Sequence, residues 1–101
     1  MIAYKRPEDM IPLGYDFSLD LPIGRTIQSA DVRVKDAVTH DDVTSRLLFR
    51  FEHTQNSIDA AFQWGEDMQD YIIVFIARLQ GPLEMRATVM LRVRDNFEIL
   101  L

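Results

Sequence analysis

A chain of 101 residues without cysteine corresponds to one small domain, and it excludes disulfide scaffolds, thiolate zinc sites and cysteine nucleophiles. The net charge of −5 argues against a nucleic-acid surface, which is normally basic. No apolar run approaches the roughly 20 residues that span a bilayer, and no secretory leader pattern opens the chain. These signals predict a soluble protein that is not exported.

The first 14 residues contain Pro7 and Pro12, and their apolar residues follow no regular period. Proline removes a backbone donor and interrupts regular structure. We therefore predict an extended arm over residues 1–14, a β domain over residues 15–95 and a short apolar tail over residues 96–101.

The domain begins with alternating apolar and polar residues over positions 15–21, which predicts a first strand. A second strand is predicted from Thr26 onward. The inward candidates of this strand change parity between Ile27 and Val32. One extra residue around Ser29-Ala30-Asp31 would reconcile them, so we predict a β-bulge or a bend between sheets there.

The middle of the chain contains a polar loop over residues 36–44 and two further predicted strands, over residues 46–51 and 57–64. The last of these segments fits both helical and strand periods. Its short length and its polar flanks favour a strand. In the segment 46–51, the side chains expected to face the core are Leu47, Phe49 and Phe51.

The firmest prediction is a long hairpin near the end of the chain. Residues 71–79 are almost continuously apolar, and residues 83–94 alternate strictly between apolar and polar side chains. Gln80-Gly81-Pro82 joins the two segments with turn-forming residues. Six or seven strands with this spacing predict an antiparallel β-sandwich.

The first strand of this hairpin is apolar on both faces, because Ile72, Val74 and Ile76 occupy the face that a sandwich strand usually leaves polar. Either a second sheet of the same domain or a neighbouring subunit would cover that face. We favour the second sheet because it is the simpler arrangement.

The polar residues do not form a recognisable catalytic pattern. His40-Asp41-Asp42, with His53 further along, could hold a metal only if rigid elements brought them together, and the pattern is typical of a solvated loop. Asp16 and Asp20 share one predicted strand face instead of facing each other across a cleft. We predict no catalytic residue, no metal and no cofactor.

Trp64 shares its parity with Ile58 and Phe62, so we interpret it as a core or turn-packing residue. The alternative is an exposed tryptophan that stacks on a sugar.

The last strand carries a row of basic residues. We interpret them as a solvated stripe that protects a sheet edge, and the alternative is that they pair with acids of a neighbouring subunit. These residues are Arg86, Arg92 and Arg94.

Both ends of the chain carry apolar side chains that need a covering surface. We predict that they contact adjacent subunits or neighbouring proteins, and the alternative is that they fold back onto their own domain. The candidate subunit-interface residues are Tyr4, Met10, Ile11, Leu13, Phe97, Ile99, Leu100 and Leu101.

The order of these segments resembles a family of small tailed-bacteriophage virion proteins, the fiber-tail adaptor or collar-type proteins. The resemblance runs from about Lys5 to Asp95 and departs from the family where Phe17 replaces a usual tryptophan, at the turn Gln80-Gly81-Pro82, and over residues 36–56. The matching segments are Lys5-Arg6-Pro7-Glu8-Asp9, Tyr15-Asp16-Phe17-Ser18-Leu19, Gly24-Arg25-Thr26-Ile27-Gln28-Ser29-Ala30-Asp31-Val32-Arg33-Val34, Phe62-Gln63-Trp64-Gly65, Tyr71-Ile72-Ile73-Val74 and Leu91-Arg92-Val93-Arg94-Asp95.

The resemblance implies an immunoglobulin-like β-sandwich without catalytic activity. Copies of it would form a homo-oligomeric ring, about six- or twelve-fold, at the head–tail junction of the virion. They would be made in the host cytoplasm, would contact neck, tail or fiber proteins, and would bind neither nucleic acid nor membrane directly. The alternative from another class is an independent binding module that recognises carbohydrate through Trp64. An intracellular enzyme subunit is a third reading, disfavoured by the lack of a site.

Overall fold

The computed structural model describes residues 1–95, which form two β-sheets and one single-turn helix. Within this part of the chain, no helix is long and apolar enough to span a bilayer. The elements are β1 Ile2–Lys5, β2 Ile11–Asp16, β3 Ile27–Asp36, α1 Thr44–Leu47, β4 Leu48–His53, β5 Ser57–Phe62, β6 Asp70–Leu79 and β7 Glu84–Val93.

The seven strands of residues 1–95 divide into a four-stranded sheet with the order β1-β7-β6-β3 and a three-stranded sheet with the order β2-β5-β4. Neighbouring strands are antiparallel, except that β1 runs parallel to β7. The grouping of β2, β5 and β4 against β3, β6 and β7 is that of the B, E, D and C, F, G strands of an immunoglobulin domain. The prediction of a small all-β sandwich is confirmed.

The predicted hairpin is present as β6 and β7, which pair from Asp70 opposite Arg92 to Arg78 opposite Glu84. Gly81 takes a φ of 77° in the connecting turn, a conformation that glycine adopts without a steric penalty. The local turn chemistry therefore sets the register of the longest pair of strands.

A bulge is also present at the start of β3, just before the segment Ser29-Ala30-Asp31 where the extra residue was predicted. The pairing of β3 with β6 shifts between Ile27 and Ser29, so that Gln28 is the extra residue. This shift lets Ile27 and Val32 both point into the core despite their opposite parity. Strand β5 agrees with its prediction over Ser57–Phe62.

The core lies between the two sheets and receives alternate side chains of their facing surfaces. Phe62 of β5 and Phe75 of β6 meet across the sheets edge to face, with ring centroids 6.5 Å apart. The buried apolar residues that pack together in this core are Phe17, Ile27, Val32, Val34, Leu47, Ile58, Ala60, Phe62, Tyr71, Ile73, Phe75, Ala77, Leu79, Val89, Leu91 and Val93. Ile76 is also buried, but it lies outside this cluster.

The segment predicted as an arm is extended, but it belongs to the sandwich. Strand β1 pairs with β7 in one sheet, and β2 pairs with β5 in the other. Proline did not prevent this arrangement, because Pro7 lies between the two strands and Pro12 lies in β2, an edge strand of its sheet. An edge strand tolerates a residue that lacks a backbone donor.

The first predicted strand ends earlier than its alternation indicated. Strand β2 stops at Asp16, whose Oδ1 accepts a hydrogen bond of 2.8 Å from the Ser18 backbone nitrogen. The chain then turns, so that Phe17 is buried whereas Leu19 is 99% exposed. The side chain of Asp16 competes with strand continuation by bonding the backbone two residues ahead.

The predicted inward face of the segment 46–51 is wrong for two of its three residues. Leu47 is buried in α1, whereas Phe49 is 53% exposed and Phe51 is 37% exposed. The pairing of β4 with β5 shifts between Leu48 and Arg50, which places Phe49 in an irregularity of an edge strand. The shift breaks the alternation on which the prediction depended.

Candidate functional surfaces

The outer face of the four-stranded sheet carries a row of apolar residues along β6 and its neighbours. Met90 lies opposite both Ile2 of β1 and Ile72 of β6, and Val74 and Ile76 continue the row along β6. We call these five residues, Ile2, Ile72, Val74, Ile76 and Met90, the outer apolar stripe.

The expectation that a second sheet covers this face is wrong. The three-stranded sheet packs on the opposite face of β6, where Ile73 and Phe75 are buried in the shared core. The stripe therefore lies on the outer face of the sandwich. On that face Ile2 is 51% exposed, whereas Ile72, Val74 and Met90 are half-buried and Ile76 is buried, at 6% exposed. Each sheet of a two-sheet sandwich has one inner face. In the four-stranded sheet, that inner face carries the odd-numbered residues of β6.

Long charged side chains surround the outer apolar stripe. Among the outward positions of β3, β6 and β7 there are five basic residues, Arg33, Lys35, Arg78, Arg86 and Arg92, and three acidic ones, Asp31, Asp70 and Glu84. Arg86 approaches Glu84 to 2.9 Å and Arg33 approaches Asp31 to 3.1 Å, and the side chains of both arginines are more than half exposed. The hydrocarbon parts of such side chains shield apolar neighbours while their charges stay in water. This face has a net positive charge on an acidic chain.

The arginines of β7 do not protect a sheet edge, because β1 pairs with β7 on that side. Arg94 does not belong to a solvated stripe either. Its guanidinium donates to Asp70 Oδ1 at 2.9 Å and to the Gln69 backbone oxygen at 3.2 Å, and its side chain is only 15% exposed. Arg94 therefore ties the end of β7 to the start of β6.

The loop between β2 and β3, residues 17–26, carries two apolar side chains that the sequence interpretation missed. Leu19 and Ile23 are about fully exposed, at 99% and 104%. The loop lies at the end of the sandwich where the β4–β5 and β6–β7 turns also lie, since the Phe17 nitrogen donates to the Asn56 oxygen at 2.8 Å. Leu19 was assigned to a strand face by its alternation. The sequence signal that indicates an exposed turn at Ile23 is its position between the turn-forming residues Pro22 and Gly24.

Trp64 is not a core residue, contrary to its interpretation from parity. Strand β5 ends at Phe62, and Trp64 follows with a φ of 55° and 61% exposure. A positive φ is unusual for a bulky residue and often marks a functional constraint. Trp64 borders an open groove of about 330 Å³ with Arg46, Gly65 and Glu66. Arg46 and Glu66 approach each other to 3.9 Å there.

The predicted interface residues near the start of the chain fall into two groups. Tyr4 and Met10 are exposed, at 41% and 52%. Ile11 and Leu13 are partly buried and pack against the hydrophobic core of their own sandwich. The other candidates, Phe97, Ile99, Leu100 and Leu101, lie outside the described residues.

The His40-Asp41-Asp42 segment forms a turn after β3. His40 takes a φ of 65°, and its nitrogen donates to the Asp36 oxygen at 3.0 Å. His53 is distant in sequence, and its Nδ1 lies 2.9 Å from the backbone oxygen of Thr54. Over residues 1–95, no group of three or more histidine, cysteine or acidic residues is arranged to hold a metal ion.

The acidic residues of this turn have structural partners. Backbone N–H groups of Thr39 and Val38 donate to Asp36 and lower the pKa of its carboxyl below its usual value. The hydroxyl and backbone N–H of Thr44 likewise lower the pKa of Asp42. Both carboxylates are therefore held in the ionised form that caps the turn, which is the opposite of a general acid poised near neutral pH.

Comparison with known proteins does not assign the chain to a family. No family model matches it, and a search of curated proteins finds no match. Function must therefore be argued from the surfaces described above.

Proposed function

We propose that this protein is a non-catalytic structural subunit that assembles with copies of itself. The observation that carries the proposal is the outer apolar stripe, a half-buried apolar row on which no second sheet packs over residues 1–95. A contiguous apolar row with a charged rim is typical of a protein–protein interface.

The resemblance of the sequence to fiber-tail adaptor and collar-type proteins supplies the location in this proposal. The protein would form a symmetric ring at the head–tail neck of a tailed phage and would bridge neck, tail and fiber components. The sandwich architecture is compatible with this role, since a rigid β domain can present the same faces in every copy of a ring.

The experiment that tests this function is localisation in particles of the phage whose genome encodes the chain. Mass spectrometry of purified particles should detect the protein, and gold-labelled antibodies should mark the head–tail junction in electron micrographs. Antibodies against a major capsid protein serve as the control for labelling elsewhere on the particle. Absence from particles, together with presence in the host cytosol, would contradict the proposal.

A carbohydrate-binding module is the second candidate, and the exposed Trp64 is the observation that favours it. An aromatic face in water, beside the polar side chains of Arg46 and Glu66, can stack on a sugar ring while neighbouring groups bond its hydroxyls. Trp64 is the only tryptophan in the chain, so its fluorescence reports on this site alone.

Titration with a panel of bacterial surface oligosaccharides tests this candidate. Binding would shift the emission of Trp64 to shorter wavelength, and calorimetry on Trp64→Ala would show the loss of that binding. Phe49→Ala is a matched control, because Phe49 is similarly exposed but lies on β4 outside the groove. Unchanged fluorescence across the panel would eliminate the carbohydrate reading.

A further inference from the structure

The two sheets of residues 1–95 end in four edge strands, and three of these edges are protected. Strand β1 has only four residues, and β2 contains Pro12, which has no backbone N–H to offer a further strand. On β3, the Val32 nitrogen donates to Asp31 Oδ1 at 2.9 Å, and the Val34 nitrogen donates to Thr44 Oγ1 at 2.8 Å. Short strands, proline and covered backbone groups keep a sheet edge from pairing with another chain.

Strand β4 is the fourth edge, and its outer side is open. No strand of residues 1–95 pairs with that side, and every residue of β4 from Phe49 to His53 is exposed. The strand carries two exposed aromatic side chains, since Phe49 is 53% exposed and Phe51 is 37% exposed. An exposed edge strand with apolar side chains is a template for pairing with a strand of another chain.

The backbone of β4 offers hydrogen-bonding groups to the open side at Phe51. The Thr54 nitrogen donates to the Ser57 oxygen at 2.9 Å, which makes this pair of the β4–β5 hairpin a hydrogen-bonded one. Hydrogen-bonded and non-hydrogen-bonded pairs alternate along antiparallel strands, so the pair of Phe51 with Ala60 is non-hydrogen-bonded. The N–H and C=O of Phe51 therefore point away from β5, toward the open edge.

The charges of β4 match a second copy of the same strand in the antiparallel direction. A two-fold axis at Phe51 pairs this residue with its counterpart through two N–H···O=C bonds. The same register places Arg50 of each copy opposite Glu52 of the other. Opposite charges at facing positions of neighbouring strands are favourable, and like charges are unfavourable. A parallel pairing in register would oppose arginine to arginine, so the charges favour the antiparallel copy.

We infer that two copies of this chain pair through β4, antiparallel about Phe51, and join their three-stranded sheets into one continuous sheet. This contact goes beyond the proposed function, because it uses the open edge of β4 and not the outer apolar stripe. A contact with a two-fold axis uses the same surface of both copies and forms a closed dimer. The exposed ring of Phe51 lies at its centre, where burial of apolar surface adds to the main-chain hydrogen bonds.

Charge reversal tests the register. Sedimentation velocity should show that Arg50→Glu and Glu52→Arg each weaken the dimer at least about tenfold, because each variant opposes like charges at two symmetric positions. An equimolar mixture of the two variants should form heterodimers as tightly as the natural chain dimerises, since every facing pair again joins opposite charges. Arg25→Glu and Asp20→Arg are the matched controls. They make the same changes of charge in the exposed loop between β2 and β3 and should leave the dimer unchanged.

Engineered cysteines test the same register independently, because the natural chain has none. Arg50→Cys and Glu52→Cys, purified separately, mixed and mildly oxidised, should form a mixed disulfide, since facing residues of antiparallel strands lie within disulfide range, with α-carbons about 4.5–5.5 Å apart. Arg50→Cys alone should cross-link at least about tenfold more slowly, because its counterpart is then a diagonal neighbour about 7–8 Å away. Circular dichroism checks the folding of each variant, and the cysteine pair supplies the result if a charge-reversal variant fails to fold.

Three outcomes would overturn the inference. A natural chain that stays monomeric up to about 1 mM is the first, and it would leave the β4 edge to a different protein. A dimer that neither charge reversal weakens is the second, and it would assign the association to another surface, such as the outer apolar stripe. A mixed disulfide that forms no faster than the disulfide of Arg50→Cys alone is the third. None of these measurements uses phage particles, so the failure of the proposed function is observed separately.

Discussion

At the scale of single residues, Lys5 shows how a charged side chain can organise the start of this sandwich. It points inward from β1 and is fully buried. Its Nζ donates to the backbone oxygens of Arg6 at 2.6 Å, Pro7 at 3.3 Å and Asp9 at 3.0 Å. Burial lowers the pKa of Lys5, and the nearby carboxylates of Asp9 and Glu8 oppose that effect. The ammonium group therefore takes the place of water for the carbonyls of the β1–β2 connection.

We predict that Lys5→Met destabilises the fold by about 1–3 kcal/mol, because the apolar stem is kept while three carbonyls lose their donor. Urea unfolding measures this loss. Lys35 is the only other lysine in the chain and is exposed on β3, so Lys35→Met should change the stability by less than about 0.5 kcal/mol. Equal effects of the two substitutions would show that the buried hydrogen bonds of Lys5 contribute nothing.

At the scale of elements, the β5–β6 connection passes close to the end of β7. Gly65 has a φ of 101°, and a side-chain carbon added there would lie 2.9 Å from Val93 Cγ2 and 3.4 Å from Tyr71 Cε2. The Tyr71 hydroxyl also accepts a hydrogen bond from the Glu66 nitrogen at 3.1 Å. A glycine at this point allows the backbone of the connection to pass close to the core side chains of Val93 and Tyr71.

Gly65→Ala should reduce stability by about 2–4 kcal/mol, since it combines an unfavourable φ with a steric overlap in the core. Gly81→Ala separates these two causes. Gly81 also has a positive φ, but no atom lies within 4 Å of the added carbon, so we expect a loss of only about 1–2 kcal/mol. Thermal melts of both variants provide the comparison, and a larger loss for Gly81→Ala would refute the packing argument.

At the scale of the whole molecule, two sheets share one core and should unfold together. Phe62 belongs to the three-stranded sheet and Phe75 to the four-stranded sheet, and their rings meet at an interplanar angle of 82°. Because each ring is fully buried, loosening one sheet exposes apolar surface of the other. Cooperative unfolding of small domains has this origin.

A double-mutant cycle with Phe62→Leu and Phe75→Leu should give a coupling energy of about 0.5–1.5 kcal/mol and a single unfolding transition in every variant. Val38→Ala combined with Phe62→Leu is the control pair. Val38 is exposed in a distant turn, so the two effects should add within about 0.5 kcal/mol. Two separate transitions would mean that the sheets are independent units.

Local patterns in the sequence determined much of this fold. The β6–β7 hairpin, the bulge before Val32 and strand β5 were all predictable, because alternation and turn chemistry depend on neighbours within a few residues. The same alternation misassigned Leu19 and Trp64, since each lies just beyond the point where a strand ends. Strand ends depend on hydrogen bonds and turns that the apolar period does not encode.

The tertiary structure alone decided which face of β6 the second sheet covers. The sequence marked Ile72, Val74 and Ile76 as unusual, but it could not tell whether a second sheet covered them. That depends on which face of β6 the distant strand β5 meets, a contact between residues far apart in the chain. The pairing of β1 with β7 and of β2 with β5 is long-range in the same sense, so two segments that looked like an arm complete both sheets.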